Sequence, residues 1–383
     1  MKHCSVLVGG DVCPTESDIA AFSRGDAAGI FHDLLEDIRA ADFAVLDLEC
    51  PLTETASPIA KCGPALRAPP ACMRALQQAG IAALDLANNH ILDHGAAGLE
   101  STLSAAAAAG IPTVGAGANL AEARRMLIRD LGGIRVGVLA LAQHEFSIAT
   151  PTSPGANPLD LIDFTRNVAA GRANFDYLIV LLHAGNEGYP YPSPRLMETC
   201  RFFVEQGAGA VICHHSHCPG CWEAYGGGHI VYGQGNLIYA SPGAEPAWNE
   251  GFLVRLRISQ AGKAEMELVP FQQSRDGVGA RRLQGTAAST FLDQVAGRSA
   301  EIQEPGFMVE RWGQFCEERR GYYLSAMLGH GRILSWLNLR GRITKYLYPA
   351  RALRRAATLV RCEAHREVLE TLLLPYVTSR DGR

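Results

Sequence analysis

No stretch of this 383-residue chain approaches the roughly 20 consecutive apolar residues that cross a bilayer, so no spanning helix is expected. An excess of either charge is missing too: 35 Lys and Arg stand against 39 Asp and Glu, a formal net of -4. That balance offers no bulk attraction for nucleic acid or for a strongly acidic partner. The cysteines lack the spacing of a small disulfide scaffold. Eleven are scattered along the chain and read as reduced, mostly buried thiols of a cytosolic protein. A signal peptide is not visible, because Met1-Lys2-His3-Cys4 runs straight into the apolar Ser5-Val6-Leu7-Val8. The expected location is the cytoplasm. What the chain does have is 48% hydrophobic residues, enough to bury the core of one large domain or two unequal ones.

Apolar runs alternate with helical stretches from Ser5 to about His217, a βαβ pattern. Strands are expected at 5–8, closed by a glycine turn at Gly9-Gly10, and at 42–49, 81–87, 111–114, 133–141, 176–182 and 207–211. Helices are expected at 30–40, 69–79, 98–109, 120–129, 161–173 and 193–206. The strands at 228–231, 251–258 and 265–270 have no helices between them. They suggest a second, antiparallel sheet packed on the first, with the last two forming a hairpin. From about Ala280 the chain becomes helix-prone and arginine-rich, which divides it into a domain at 1–279 and a basic helical extension at 280–383.

Chemistry gathers at the carboxyl ends of the strands, where open α/β sheets bind ligands. In order stand Asp11, Glu49, Asn89-His90, His183, and His214-His215-Ser216-His217. His215 and His217 point the same way if their segment stays extended. On its own, that segment leaves metal ligation and solvated or capping histidines equally open. The repetition at five strand ends favours a dinuclear site for Zn, Mn or Fe, with Asp11, Glu49, Asn89, His183, His215 and His217 as ligands. Two neighbouring metals need a bridging carboxylate, for which Glu49 is the natural candidate. His90, as a non-ligand, suits protonation of a leaving group. Asp47 and His214 read as hydrogen-bonding support.

These residues lie in motifs that carry a resemblance. Gly10-Asp11, Asp47-Leu48-Glu49-x-Pro51-Leu52-Thr53, Ala87-Asn88-Asn89-His90-x-x-Asp93-x-Gly95, His183-x-Gly185-x-Glu187 and His214-His215-x-His217 occur in that order. Leu66-Arg67-Ala68-Pro69, Val114-Gly115-Ala116-Gly117 and Ile230-Val231-Tyr232-Gly233-Gln234-Gly235-Asn236 extend the match over about the first two thirds of the chain. The set resembles the signature of the CapA-type proteins, the poly-γ-glutamate capsule synthesis family. The resemblance implies a calcineurin-like metallophosphoesterase fold, a four-layer α/β/β/α sandwich. It implies metal-site roles for the six residues above and an acid role for His90. It also implies a place near the site for Arg67 and Glu187, with Arg67 suited to a substrate carboxylate or phosphate. The alternative for Arg67 is a surface ion pair.

The sequence departs from the ordinary pattern in three places. Asp11-Val12-Cys13 has cysteine where phosphoesterases of this type carry histidine, and Cys13 reads as a buried thiol. Cys213 replaces a glycine before the histidine cluster. Cys218-Pro219-Gly220-Cys221 is a lone C-x-x-C without a second pair to complete a zinc site. His3, His32, His144, His229, His330 and His365 have no strand-end setting, and solvated or capping roles suffice for them.

The expected function is a metal-dependent hydrolase acting on a phosphoester, or on a γ-glutamyl or other peptide amide, in capsule, exopolymer or peptide natural-product biosynthesis. Its substrate would be a peptide or a polymer. One rival is a peptide isomerase in which Asp11 and His90 move a proton without metal. Another is a non-catalytic scaffold of capsule export, working through the basic tail. That tail suits a solvated or partner-docking helical face, with contact to a membrane surface as the alternative.

Overall fold

The computed structural model describes residues 2–61, 63–241, 246–274, 278–338 and 341–361. His365, named above, lies outside the described residues. The chain divides into two compact units, Met1–Ile59 with Gly63–Gln303, and Ala60–Cys62 with Glu304–Arg383. The division falls after the helix Gly285–Glu301 rather than before it, because that helix packs its buried Phe291 on Phe252 of the first unit.

The first unit is built on two large sheets. One follows the order Ala280–Arg282, Ala264–Gln273, Glu250–Ser259, His3–Val12, Phe43–Leu48, Ala83–Asp85, Thr113–Val114, and Asn236–Ile238 also pairs with His3–Val12. The other runs Trp222–Tyr225, Gly228–Val231, Ala210–His214, Tyr177–His183, Arg135–Ala142, Leu127–Asp130. The expected βαβ succession is therefore split between two sheets. The late hairpin Glu250–Ser259 and Ala264–Gln273 extends the first sheet, antiparallel to His3–Val12, instead of forming a sheet of its own. The helix expected at 120–129 is only Leu120–Ala123, and Leu127–Asp130 is an edge strand.

Burial with a period of two explains the layering. Along Arg135–Ala142 and Tyr177–His183, the residues Val136, Val138, Ala140, Ile179 and Leu181 share one core with Val6, Val8 and Val45 of the other sheet. The intervening Leu139, Leu178 and Val180 are equally buried but lie outside that core, so both faces of this sheet are covered. On the outer face, Cys213 Sγ lies 3.6 Å from Cys200 Sγ of the helix Pro194–Glu205, and Phe203 of that helix packs against Phe164. Helices Glu16–Arg24, Leu34–Ala40 and Met73–Ala79 add Phe22, Leu34 and Leu76 to the core of the first sheet. The result is the α/β/β/α sandwich. Leu181 is fully buried between the sheets, so Leu181→Ala is expected to lower unfolding free energy by about 2–5 kcal/mol in urea titration.

One glycine pair was expected to turn the chain and instead brings strands together. His3–Val12 runs through Gly9 and Gly10 with only a register shift between Gly9 and Asp11. A Cβ on Gly10 would fall 2.2 Å from the Gly235 carbonyl oxygen. Glycine is needed here for close backbone approach, and the strand carries on to deliver Asp11 beside Asn236.

Candidate metal centre

Register aligns the ends of the second sheet. His183 pairs with His214 on one side and with Ala142 on the other, while Asp11, Glu49 and Asn89 come from the strand ends of the first sheet. All six expected ligands are buried and lie together. His217 Nδ1 is 3.3 Å from Asp11 Oδ2, and its Nε2 is 3.7 Å from Glu49 Oε1. His183 Nε2 is 3.4 Å from Glu49 Oε1 and 3.1 Å from Asn89 Oδ1. The rings of His183 and His215 are 4.8 Å apart.

The histidine cluster reaches this position by a route that alternation did not foresee. The strand stops at His214, and His215 and His217 take left-handed backbone conformations, with φ of 77° and 51°. Non-glycine residues adopt this region at a cost, and such residues cluster where function requires them. The backbone N–H of His215 donates to Asp11 Oδ2 at 3.3 Å, helping to hold the turn.

Neighbouring groups aim the ring nitrogens. His183 Nδ1 donates to Asp47 Oδ2 at 2.9 Å, and Asn88 Nδ2 holds the other Asp47 oxygen at 2.9 Å. This carboxylate–histidine pairing leaves Nε2 directed at Asn89 and Glu49. His217 Nδ1 donates to Asn236 Oδ1 at 2.8 Å, turning its Nε2 toward Glu49. Gln234 donates its amide to the carbonyls of Val8 and Phe252, so its Oε1 accepts from His214 Nε2 at 3.0 Å. The His217 ring is also flanked by Trp248, at 4.6 Å between centroids, and by Tyr239, at 5.5 Å.

A cation fits this donor set. Asp11 Oδ1 and both oxygens of Glu49 are buried without a hydrogen-bond partner, and so is His215 Nδ1. A buried carboxylate is strongly disfavoured unless donors or counter-charges compensate it. Lone pairs of Glu49, Asn89 Oδ1 and His183 Nε2 converge, and only protons or a metal cation reconcile them. Ligand atoms that could hold an ion form two groups, Asp11 with Asp47, His183 and His214, and Glu49 with His215 and His217. Asp47 and His214, expected as support, thus lie close enough to be counted among the donors.

The charges act on one another strongly. Burial pushes Asp11 up, but the hydrogen bond to His217 and the charges of His183, His217 and His214 outweigh it and hold the carboxyl below its ordinary range. Burial raises Asp47 to about 6 against the pull of His183. His217 rises to about 9, because Glu49 and Asp11 overcome the burial that lowers it. His215 goes the other way, held well below its usual value by burial and then by the charges of His183 and His217. A neutral His215 is the form a metal requires.

The remaining expected residues occupy the surroundings. His90 Nδ1 is 2.6 Å from Asp93 Oδ2, which also accepts the Leu66 N–H at 2.6 Å. Arg67 is exposed and donates to the Glu54 carbonyl at 2.8 Å, while its charge acts on His94. Glu187 is exposed on the loop after His183, and its charge acts on Tyr239. Cys13, Cys218 and Cys221 are buried thiols, and among the described residues none of them belongs to a group able to hold an ion. Glu145 was not anticipated. It follows the end of Arg135–Ala142, accepts from Asn89 Nδ2 at 2.8 Å, and lies 3.9 Å from His215 Nε2. Its position past a strand end was the available signal.

The chain is 30% identical over 207 residues to the capsule biosynthesis protein CapA of Bacillus anthracis, a span of 52% of this chain and 49% of that one. It is 26% identical over 204 residues to the PGA biosynthesis protein CapA of Bacillus subtilis, covering 52% of each. The match thus spans about half the length of these relatives. Solved structures that align include the calcineurin-like phosphoesterase YfkN of Bacillus subtilis, at 13% identity and a TM-score of 0.41, covering 78% of this chain and 98% of that one. A 5'-nucleotidase precursor of Thermus thermophilus aligns at 14% identity and a TM-score of 0.43, covering 79% of this chain and 59% of that one. Residues 5–241, which hold every motif of the site, match the family described as bacterial capsule synthesis protein PGA_cap, and the chain belongs to that family.

Proposed function

We propose that this protein is a metal-dependent hydrolase of capsule, exopolymer or peptide natural-product biosynthesis, cleaving a phosphoester or a γ-glutamyl-type amide. The observation that carries the reading is Glu49, whose two oxygens are buried and unpartnered beside the Nε2 atoms of His183 and His217. Asp11, Glu49, Asn89, His183, His215 and His217 would hold two ions of Zn, Mn or Fe, with Asp47 and His214 against them. When bound, such ions supply Lewis-acid polarisation of a phosphoryl or carbonyl oxygen and lower the pKa of water.

The chain's own residues supply orientation and proton transfer. Asp47 and Asn236 fix which nitrogen of His183 and His217 faces the centre. His90, steadied through Nδ1 by Asp93, presents its other nitrogen as the proton donor for a leaving group. Arg67 offers a bidentate fork for a substrate carboxylate or phosphate. His90→Ala is expected to lower kcat by ~10²–10⁴-fold while the bound metal is unchanged.

The test is elemental analysis of protein purified without chelators, combined with assays of model phosphoesters and γ-glutamyl amides before and after EDTA. Loss of turnover with EDTA, restored by metal, supports the hydrolase. Turnover that survives EDTA would favour proton transfer by Asp11 and His90 on a peptide α-carbon, the isomerase alternative. A scaffold would show no turnover, and His183→Ala would leave polymer output intact.

A further inference from the structure

The second unit turns outward the residues that most proteins hide. Among the described residues, eleven large hydrophobic side chains are exposed, and ten of them lie beyond residue 304, with Ile162 the exception. Their positions are ordered. On the helix Arg332–Leu337, Ile333, Trp336 and Leu337 stand at i, i+3 and i+4, the spacing by which a helix normally buries one face, yet Ile333 is 78% exposed and Trp336 69%. Tyr322 at the end of the helix Phe307–Met327 and Tyr346 on Thr344–Leu347 are similarly exposed.

This outward face is held by a polar knot. Asn338 is buried, donates to Ser325 Oγ and Thr344 Oγ1, and accepts from the N–H groups of Ile343 and Thr344. The short helices are therefore pinned with their apolar stripe outward.

Charge identifies the occupant. Between Arg319 and Arg361 the sequence carries ten Lys and Arg and no Asp or Glu. On the helix Ala350–Arg361, Arg351, Arg354 and Arg355 share one exposed face, while Leu353, Ala356 and Val360 lie on the opposite one. A protein partner would have to match this unbroken positive stretch with an equally extended acidic surface. A plane of anionic lipid headgroups supplies it everywhere, and Trp and Tyr are the aromatics that favour the interfacial zone. Among the described residues no helix is long and apolar enough to cross a membrane, so the contact would lie in the plane of the surface.

We infer that the second unit is a peripheral docking surface for anionic membrane, through Ile333, Trp336 and Tyr346 beside Arg351, Arg354 and Arg355. The experiment is flotation of the full chain with vesicles of phosphatidylcholine alone, and with vesicles in which part of it is replaced by phosphatidylglycerol. The expected result is binding to the phosphatidylglycerol vesicles, weakened by raised salt, with a blue shift of tryptophan emission. The triple change Arg351→Gln, Arg354→Gln, Arg355→Gln weakens that binding on the order of 100-fold. Ile333→Ser with Trp336→Ser abolishes the blue shift. Absence of binding by the unmodified chain, or equal binding to both vesicle types, overturns the inference. So does a concentration-dependent dimer, lost in Ile333→Ser with Trp336→Ser, that leaves vesicles untouched, since it would make the face a contact between copies.

Discussion

Replacing Glu49 by glutamine should make the protein lose its metal and, in chelator, lose stability as well. Both halves follow from one arrangement. The Glu49 carboxyl is fully buried, neither of its oxygens accepts a hydrogen bond, and the nearest groups are the ring nitrogens of His183 and His217. With metal, the charge is what holds the ion, and its removal is expected to weaken affinity at least ~100-fold, since changes one step further out already cost 10–100-fold. Without metal, the same charge faces the protonated His217 that it holds up to about 9, and breaking a buried pair by removing one partner is costly, so the neutral isostere is expected to lose about 3–5 kcal/mol of stability in urea with EDTA present. Equilibrium dialysis and paired denaturation curves measure the two effects. A variant that keeps its ions, or that is no less stable in EDTA, removes the basis for the metal centre.

Gly10→Ala is expected to damage the fold as much as a truncation of its core. The added methyl would lie 2.2 Å from the Gly235 carbonyl oxygen, a backbone atom whose own residue sits at φ of 77° between strands. Neither side can give way without shifting the strand that carries Asp11, so the cost is expected to be about 3 kcal/mol or more. Gly297→Ala provides the contrast. It lies in the helix Gly285–Glu301 with nothing within 4 Å of an added Cβ, and is expected to be neutral or stabilising by up to ~1 kcal/mol. Urea midpoints that fail to separate the two variants would show that this close approach is not constrained as described.

Much of this was legible in the residues because burial and chemistry agreed there. Tyr177–His183 is apolar throughout and ends in a histidine, so both strand and ligand position could be read together. What could not be read depended on three dimensions. Period-two patterns do not say which sheet a strand joins, and so the hairpin at Glu250–Ser259 and Ala264–Gln273 was placed apart from His3–Val12. Gly9-Gly10 has the composition of a turn, and only the Gly235 backbone opposite shows why small residues are needed. Glu145 carries no motif, and its approach to Asn89 is set by how one loop folds over the strand ends. Leu127–Asp130 is too short and mixed to outweigh a helical neighbour in sequence.

The left-handed turn at His215 and His217 has a consequence for how this protein could drift. Each such residue gives up on the order of 1–3 kcal/mol of backbone ease. Glycine would sit there without strain, and so random substitution at these two positions has a route toward a sturdier chain that no longer carries the imidazoles. That strain sits at the site itself, where the His215 N–H meets Asp11 and His217 meets Glu49. A lineage released from the need for the centre should lose these histidines early, while the sandwich around them grows firmer.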